Sequence, residues 1–159
     1  MKCPYTAVKN LLRRDLPPLT KRLAKLPIDE RGYPVPFFVA WIDGKPEFRA
    51  ADANKWRDCV KHGLCWVCGE LLGTQKSFVI GPMCTVNRIS ADPAAHPDCA
   101  DWSVRGCPFL TKPKMVRREG GLPDDIHTAG VMIERNPGVM AIWTTKRFSV
   151  ILDPAGKPL

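Results

Sequence analysis

Residues 65–109, CWVCGELLGTQKSFVIGPMCTVNRISADPAAHPDCADWSVRGCPF, decide how this chain folds. The stretch opens on Cys65-Trp66-Val67-Cys68-Gly69, two cysteines at i and i+3 followed by glycine. That spacing turns both sulfurs into one tight bend, and glycine lets the backbone curl beneath them. A second pair stands further on at the same spacing, His96-Pro97-Asp98-Cys99. Proline suits the first turn of a helix, which puts His96 near the N-cap and Cys99 in the first turn. The free N–H groups and the dipole at such an end stabilise a thiolate. Three sulfurs and one imidazole form a closed tetrahedral donor set, the kind that holds one structural Zn2+ ion. Cys65, Cys68, His96 and Cys99 are therefore the expected ligands. Cys84 and Cys107 compete with His96 for the fourth place, since His96 would also serve as an ordinary helix cap. Cys107, followed by Pro108 and Phe109, reads more naturally as core.

Between the two pairs, residues 70–74 and 77–80 read as the strands of a hairpin. A knuckle, a hairpin and then a helix whose N-terminus supplies two ligands resembles the treble-clef family of zinc folds. The resemblance covers about residues 64–107 and rests on the order and spacing of the ligands.

Working outward, residues 52–62 read as a helix. Asp52 is placed to cap it, Ala53, Trp56, Cys59 and Val60 share one stripe, and Gly63 can end it. Cys59 on that stripe is read as a small buried hydrophobe. Before it, residues 35–50 read as a hairpin turning at Asp43-Gly44, a strong two-residue signal. Phe37, Val39 and Trp41 would line one face, and Phe38, Ala40 and Ile42 the other. Pro46 on the return strand cannot donate to a ladder, so that strand is expected at an edge.

Residues 1–30 are basic and broken by Pro17, Pro18 and Pro27. Residues 6–14 and 19–26 each have room for two helical turns, as an arm wrapped on the core or a tail ordered by a partner. Residues 111–125 read as a polar linker. After it come a short strand at 131–135, a turn at Asn136-Pro137-Gly138, and strands at 139–145 and 148–152. The expected fold class is α+β, with small antiparallel β elements and short helices around a treble-clef-like zinc site. A basic N-terminal segment, 1–30, precedes one domain, 31–159, with the zinc module at about 64–110.

The 159 residues carry a net charge of +8, unevenly spread. Residues 1–64 hold 13 Lys/Arg against 7 Asp/Glu, residues 65–110 hold 3 against 4, and residues 111–159 hold 8 against 5. The cysteine-rich middle is nearly neutral, and the flanks are basic. A basic excess attracts polyanions, so nucleic acid is the first partner expected. The candidate contacts are Arg13, Arg14, Lys21, Arg22 and Lys25 in front, with Lys112, Lys114, Arg117 and Arg118 behind. Trp66 or Trp41, where exposed, would stack on bases.

Several classes are disfavoured. No run approaches the ~20 apolar residues of a membrane span. The N-terminus lacks the apolar core of a secretion signal, so a reducing cytoplasm is expected, where seven cysteines serve better as ligands or thiols than as disulfides. Treble-clef nucleases carry a general-base histidine on the hairpin, and residues 70–83 contain none. The H-x-E ahead of P-C-x-x-C of zinc deaminases is missing. Gly69 directly after Cys68 suits a knuckle better than a redox CxxC opening a helix. With no phosphate loop or nucleophile elbow either, no catalytic constellation and no small-molecule substrate are expected.

The chain as a whole also resembles a group of small uncharacterised proteins of bacteria and their phages. The resembling stretches are residues 26–41, the knuckle, Phe78-Val79-Ile80-Gly81-Pro82-Met83-Cys84, Cys107-Pro108-Phe109-Leu110 and Asn136-Pro137-Gly138. The resemblance brings no activity with it. It implies a phage or mobile-element origin, and with it a second kind of partner: a host protein that the chain binds and inhibits.

Overall fold

The computed structural model describes residues 10–113, 115–116, 121–122, 136–152 and 154. The fold is α+β, with short helices and two small antiparallel sheets. The expected strand at 131–135 and the residues before Asn10 lie outside the described residues.

The first sheet pairs β1 (Val39–Ile42) with β2 (Lys45–Ala51). Asp43 (φ 47°) and Gly44 (φ 77°) both take positive φ, the turn that matches strand twist and the reason Asp-Gly marks this place. Face alternation does not run as expected. The register shifts between Val39 and Ala40, so both are buried while Trp41 is exposed. From Val39↔Ala51 to Ala40↔Glu47 the pairing skips residues 48–50 of β2, and an irregularity of this kind re-aims the side chains beside it.

Helix α1 (Ala53–His62) follows the sequence signals at both ends. The Asp52 carboxylate accepts from the N–H of Asn54 and Lys55, and Gly63 closes the helix at φ 65°. Its inner face brings Trp56 and Cys59 against Trp66, with Phe37 and Phe38 packed around them. Trp66 stacks on Phe38 with ring centroids 5.0 Å apart and is buried, so it is a core residue and not a platform for bases.

The second sheet departs most from expectation. β3 (Lys76–Ile80) pairs with β4 (Ala141–Thr145), in register from Lys76↔Thr145 to Ile80↔Ala141. Residues 70–74 form no strand beside it; only a single bridge, Leu64↔Leu71, closes the knuckle. On its other edge β3 exchanges two backbone bonds of 2.8 Å, between Ser77 and Ala95. The knuckle hairpin of the sequence reading is thus replaced by a ribbon that borrows its partner from the far end of the chain. Phe78 stacks on Trp143 and meets the edge of Phe148, which gives this ribbon its apolar side. Residues 148–152 form no strand of their own. Helix α2 (Pro82–Asn87) follows β3; α3 (Pro97–Gly106) and α4 (Pro108–Thr111) follow the site.

The front segment is docked from residue 10 onward. The two helical turns expected at 19–26 shrink to one 3-10 turn, Leu23–Lys25, because prolines on both sides leave no room to propagate. Arg14 lies in a turn, and residues 10–13, the described start of the stretch expected to be helical, form no helix. Leu23 is fully buried beside Cys65, Val67, Cys99, Ala100 and Trp102. The Trp102 indole N–H donates to the Pro17 carbonyl at 3.2 Å, so α3 and the front segment are bolted together.

Truncating Leu23 to Ala should cost about 2–5 kcal/mol, the range for an aliphatic side chain removed from a packed core. Urea unfolding of metal-replete protein measures it. An unchanged midpoint would show that the front segment does not hold the core.

Candidate metal centre

Two segments build the centre. In the first, the Cys65 N–H donates to the Glu70 carbonyl at 2.7 Å and the Gly69 N–H to the Cys65 carbonyl at 2.8 Å. Residues 65–70 are thereby wound into one bend. Gly69 sits at φ 76°, and a Cβ there would stand 2.8 Å from the Phe37 ring. Phe37 is pinned over the knuckle by its own N–H, which donates to the Val67 carbonyl at 2.7 Å.

The second segment is the start of α3. Ser77 and Ala95 pair as a bridge, so β3 sets the position of the next residue, His96. His96 caps α3 with extended backbone, and Pro97 opens the helix. Cys99 in the first turn is fully buried.

The three sulfurs and one imidazole nitrogen of Cys65, Cys68, His96 and Cys99 all lie within 4.8 Å of one another. His96 Nδ1 is 3.5 Å from Cys68 Sγ. Its Nε2 is 3.0 Å from the Leu71 carbonyl oxygen. A carbonyl only accepts, so Nε2 carries the proton and the Nδ1 lone pair faces the sulfurs. This is the outer hydrogen bond that fixes the tautomer of a metal-binding histidine. Metal–sulfur bonds of ~2.3 Å and metal–nitrogen bonds of ~2.0–2.1 Å at tetrahedral angles place N and S about 3.6 Å apart. The observed 3.5 Å fits one such ion held between the four side chains.

The electrostatics point the same way. Cys65 Sγ accepts the backbone N–H of His96 at 3.4 Å and of Cys68 at 3.5 Å. Hydrogen bonds from the Cys68 and Cys99 thiols, with these N–H groups behind them, hold the Cys65 thiol well below its ordinary range. The donors are left the harder to ionise. Hydrogen bonding to Cys65 and then burial push Cys68 up to about 11, and hydrogen bonding to Cys65 and Cys68 drives Cys99 far up. Left to themselves, three thiols at this spacing, two buried and one half-buried, tolerate one negative charge. A divalent cation inverts that order and lets all three ionise.

A charged rim surrounds the centre. Arg22 Nη1 donates to Asp98 at 3.0 Å, and Lys25 lies 2.5 Å from Glu70. Asp98 chiefly, with Cys99 and Cys68 adding, holds the Arg22 guanidinium above its ordinary value. Arg22 Nε is 3.4 Å from Glu70 but makes no hydrogen bond. These pairs are partly exposed and add little stability by themselves. Nothing in the sequence pairs Arg22 with Asp98; only the docking of the front segment brings them together.

The other candidates separate. Cys84 packs against Phe78, Ile80 and Ala94, and Cys107 sits half-buried at the junction of α3 and α4; neither joins the quartet. Among the basic residues, Arg13 pairs with Asp15 at 2.7 Å and lies over the Tyr33 ring. Arg22 and Lys25 belong to the rim just described. Arg14 and Lys21 are exposed, with no ion pair among the described residues. Lys112 is exposed and near enough to Asp15 to help lower its pKa. Lys114, Arg117 and Arg118 lie outside the described residues.

No described helix is long and apolar enough to cross a membrane. No family model matches the chain, and neither a curated protein nor a solved structure does.

Cys59 provides an internal contrast to the ligand thiols. Burial first, with the nearby Cys65 adding, pushes it from 9.0 up to about 12. The folded state keeps this proton longer than the unfolded chain. Its contribution to stability is therefore full below pH ~9 and lost as pH rises through ~12. At pH 8 Cys59 should resist iodoacetamide in native protein and react fully after denaturation, read by peptide mass spectrometry. Native labelling at the denatured rate would show that the inner face of α1 is open.

Proposed function

We propose that this chain is a structural-zinc protein that contacts nucleic acid through its basic surface. The observation that carries the zinc is the His96 ring, turned by the Leu71 carbonyl so that Nδ1 joins three sulfurs within 4.8 Å. Donor sets of three thiolates and one imidazole favour Zn2+ over the hard cations, and a closed quartet leaves no open position for a reacting water. Cys65, Cys68, His96 and Cys99 would hold the ion, whose charge would supply the compensation that the buried sulfurs need. Binding of this kind is worth ~10–16 kcal/mol in zinc-finger peptides, about as much as the whole stability of a domain. Reduced cysteines suit the cytoplasm, of a host cell if the gene is carried by a phage.

Purified protein should contain one zinc per chain by elemental analysis. Cys99→Ser should lower that content at least tenfold and lose cooperative unfolding. Metal-free protein that unfolds as cooperatively as before would overturn the structural role.

Support for nucleic acid comes from the net charge of +8 and from exposed cations such as Arg14, Lys21 and Lys112. Binding through phosphates should weaken linearly in log–log terms with salt, by roughly 0.7 log units per contact per decade for a single strand. Fluorescence anisotropy of labelled oligonucleotides between 50 and 200 mM salt, on the order of the range where such losses are large, measures the slope. A flat dependence or no binding rejects this part of the proposal.

One observation favours a second reading, a module that binds a host protein. Helix α2 exposes Met83 and Val86 almost fully, with Ile89 just beyond, and Leu71 is open beside the knuckle. Apolar side chains grouped on one short element are what a protein partner would cover. In that case binding would survive salt that strips nucleic acid away.

A further inference from the structure

The β3–β4 ribbon opens at one end onto a groove of about 480 Å³ lined by Lys76, Lys146, Arg147, Phe148 and Ser149. Among the described residues no carboxylate lines it and no ion pair involves any of its three cations. The groove is built, not merely left over. Lys76 Nζ reaches across the strand ends, donating to the carbonyls of Thr74 at 3.2 Å and Lys146 at 3.3 Å. Two carbonyl oxygens orient an ammonium without neutralising it, and its third proton remains. The turn that presents Lys146 and Arg147 is locked by Thr145, whose hydroxyl donates to the Arg147 carbonyl at 2.9 Å and accepts the Arg147 N–H at 3.3 Å. Phe148 rests on Phe78 by an edge contact and stays 40% exposed.

Three cations with no ion pair among the described residues, one of them oriented by two carbonyls, lie next to an exposed ring and a hydroxyl and make a chemical pattern. The cations suit phosphodiester oxygens, with the guanidinium able to take two at once. The ring suits the face of a base, which a duplex keeps inside its stack and only an unpaired strand can offer. We propose that this groove is a binding site for single-stranded nucleic acid, with Lys76, Lys146 and Arg147 on the backbone and Phe148 under one base. The site rests on the nucleic-acid reading above and gives it a location that the named flank candidates did not indicate. None of those candidates is among its lining residues.

The test compares a single-stranded 12-mer with its duplex by anisotropy, using wild type, Lys146→Gln/Arg147→Gln, Phe148→Ala and, for the rival site in the front segment, Arg14→Gln/Lys21→Gln. Zinc content and circular dichroism check each fold. The single strand should bind wild type at least tenfold more tightly than the duplex. The Lys146/Arg147 variant should weaken it and flatten the log–log salt slope by roughly 1.4, two contacts at about 0.7 each. Phe148→Ala should cost about tenfold, within the range for losing one stacked base, with the slope unchanged. The Lys146/Arg147 variant is the deciding one should Phe148→Ala loosen the ribbon. Single-strand binding that only the Arg14/Lys21 variant reduces, or equal binding of duplex, overturns the groove and leaves nucleic-acid binding standing. No binding of either form by wild type overturns both.

Discussion

Three sulfurs and a ring nitrogen brought within 4.8 Å, in a buried place, set the terms for the rest of this molecule. Like charges so close cannot coexist in a low-dielectric interior without a counter-ion. The structure is arranged around that demand. Backbone N–H groups from two segments converge on Cys65, the Leu71 carbonyl turns His96, and Arg22 approaches from the front of the chain. None of these groups is a ligand, yet each fixes or tempers one. The core cluster that contains Cys65 and Cys99 also contains Leu23, Val67, Ala95 and Trp102. The cluster that could hold a metal ion and the hydrophobic core are therefore one object.

What could be read in the sequence was what local chemistry dictates. Asp52 and Gly63 bracket a helix because each satisfies orphaned backbone groups or takes a left-handed conformation on its own, whatever the rest of the chain does. Asp43-Gly44 makes its turn for the same kind of reason. The quartet Cys65, Cys68, His96, Cys99 was legible from two i, i+3 spacings, and distance in space separated it from Cys84 and Cys107. Apart from the proline-bounded turn at Leu23–Lys25, the failures are nonlocal. Ser77–Ile80 looked for the nearest strand and instead pairs with Ala141–Thr145, a choice made by Phe78 against Trp143 and Ser77 Oγ against Thr144. The alternation of residues 37–42 broke at an irregularity that no single residue announces. Leu23 gave no sign in sequence that it would be among the most deeply buried side chains.

Charge tells a similar story. A count of lysines and arginines treats every cation as free, but docking spends some of them. Arg22 and Lys25 face Asp98 and Glu70 beside the Cys/His cluster, and Arg13 is paired locally with Asp15, so part of the basic front is already matched by acids. Meanwhile Lys76, Lys146 and Arg147, unremarked in a chain read for clusters, are gathered by strand pairing at one ribbon end. The polarity of the surface is thus a product of topology as much as of composition.

Gly69 links these themes. Its left-handed backbone closes the knuckle, while the Phe37 ring occupies the space where a side chain would begin. Two independent constraints, one torsional and one steric, fall on the same residue. Any side chain at the position directly after Cys68 would have to take strained left-handed backbone and also push the Phe37 ring aside. A change at Phe37 to a smaller residue would relieve only one of the two. The segment that carries Phe37 and the Cys/His cluster are for this reason shaped to one another, each fitted to the outline that the other leaves.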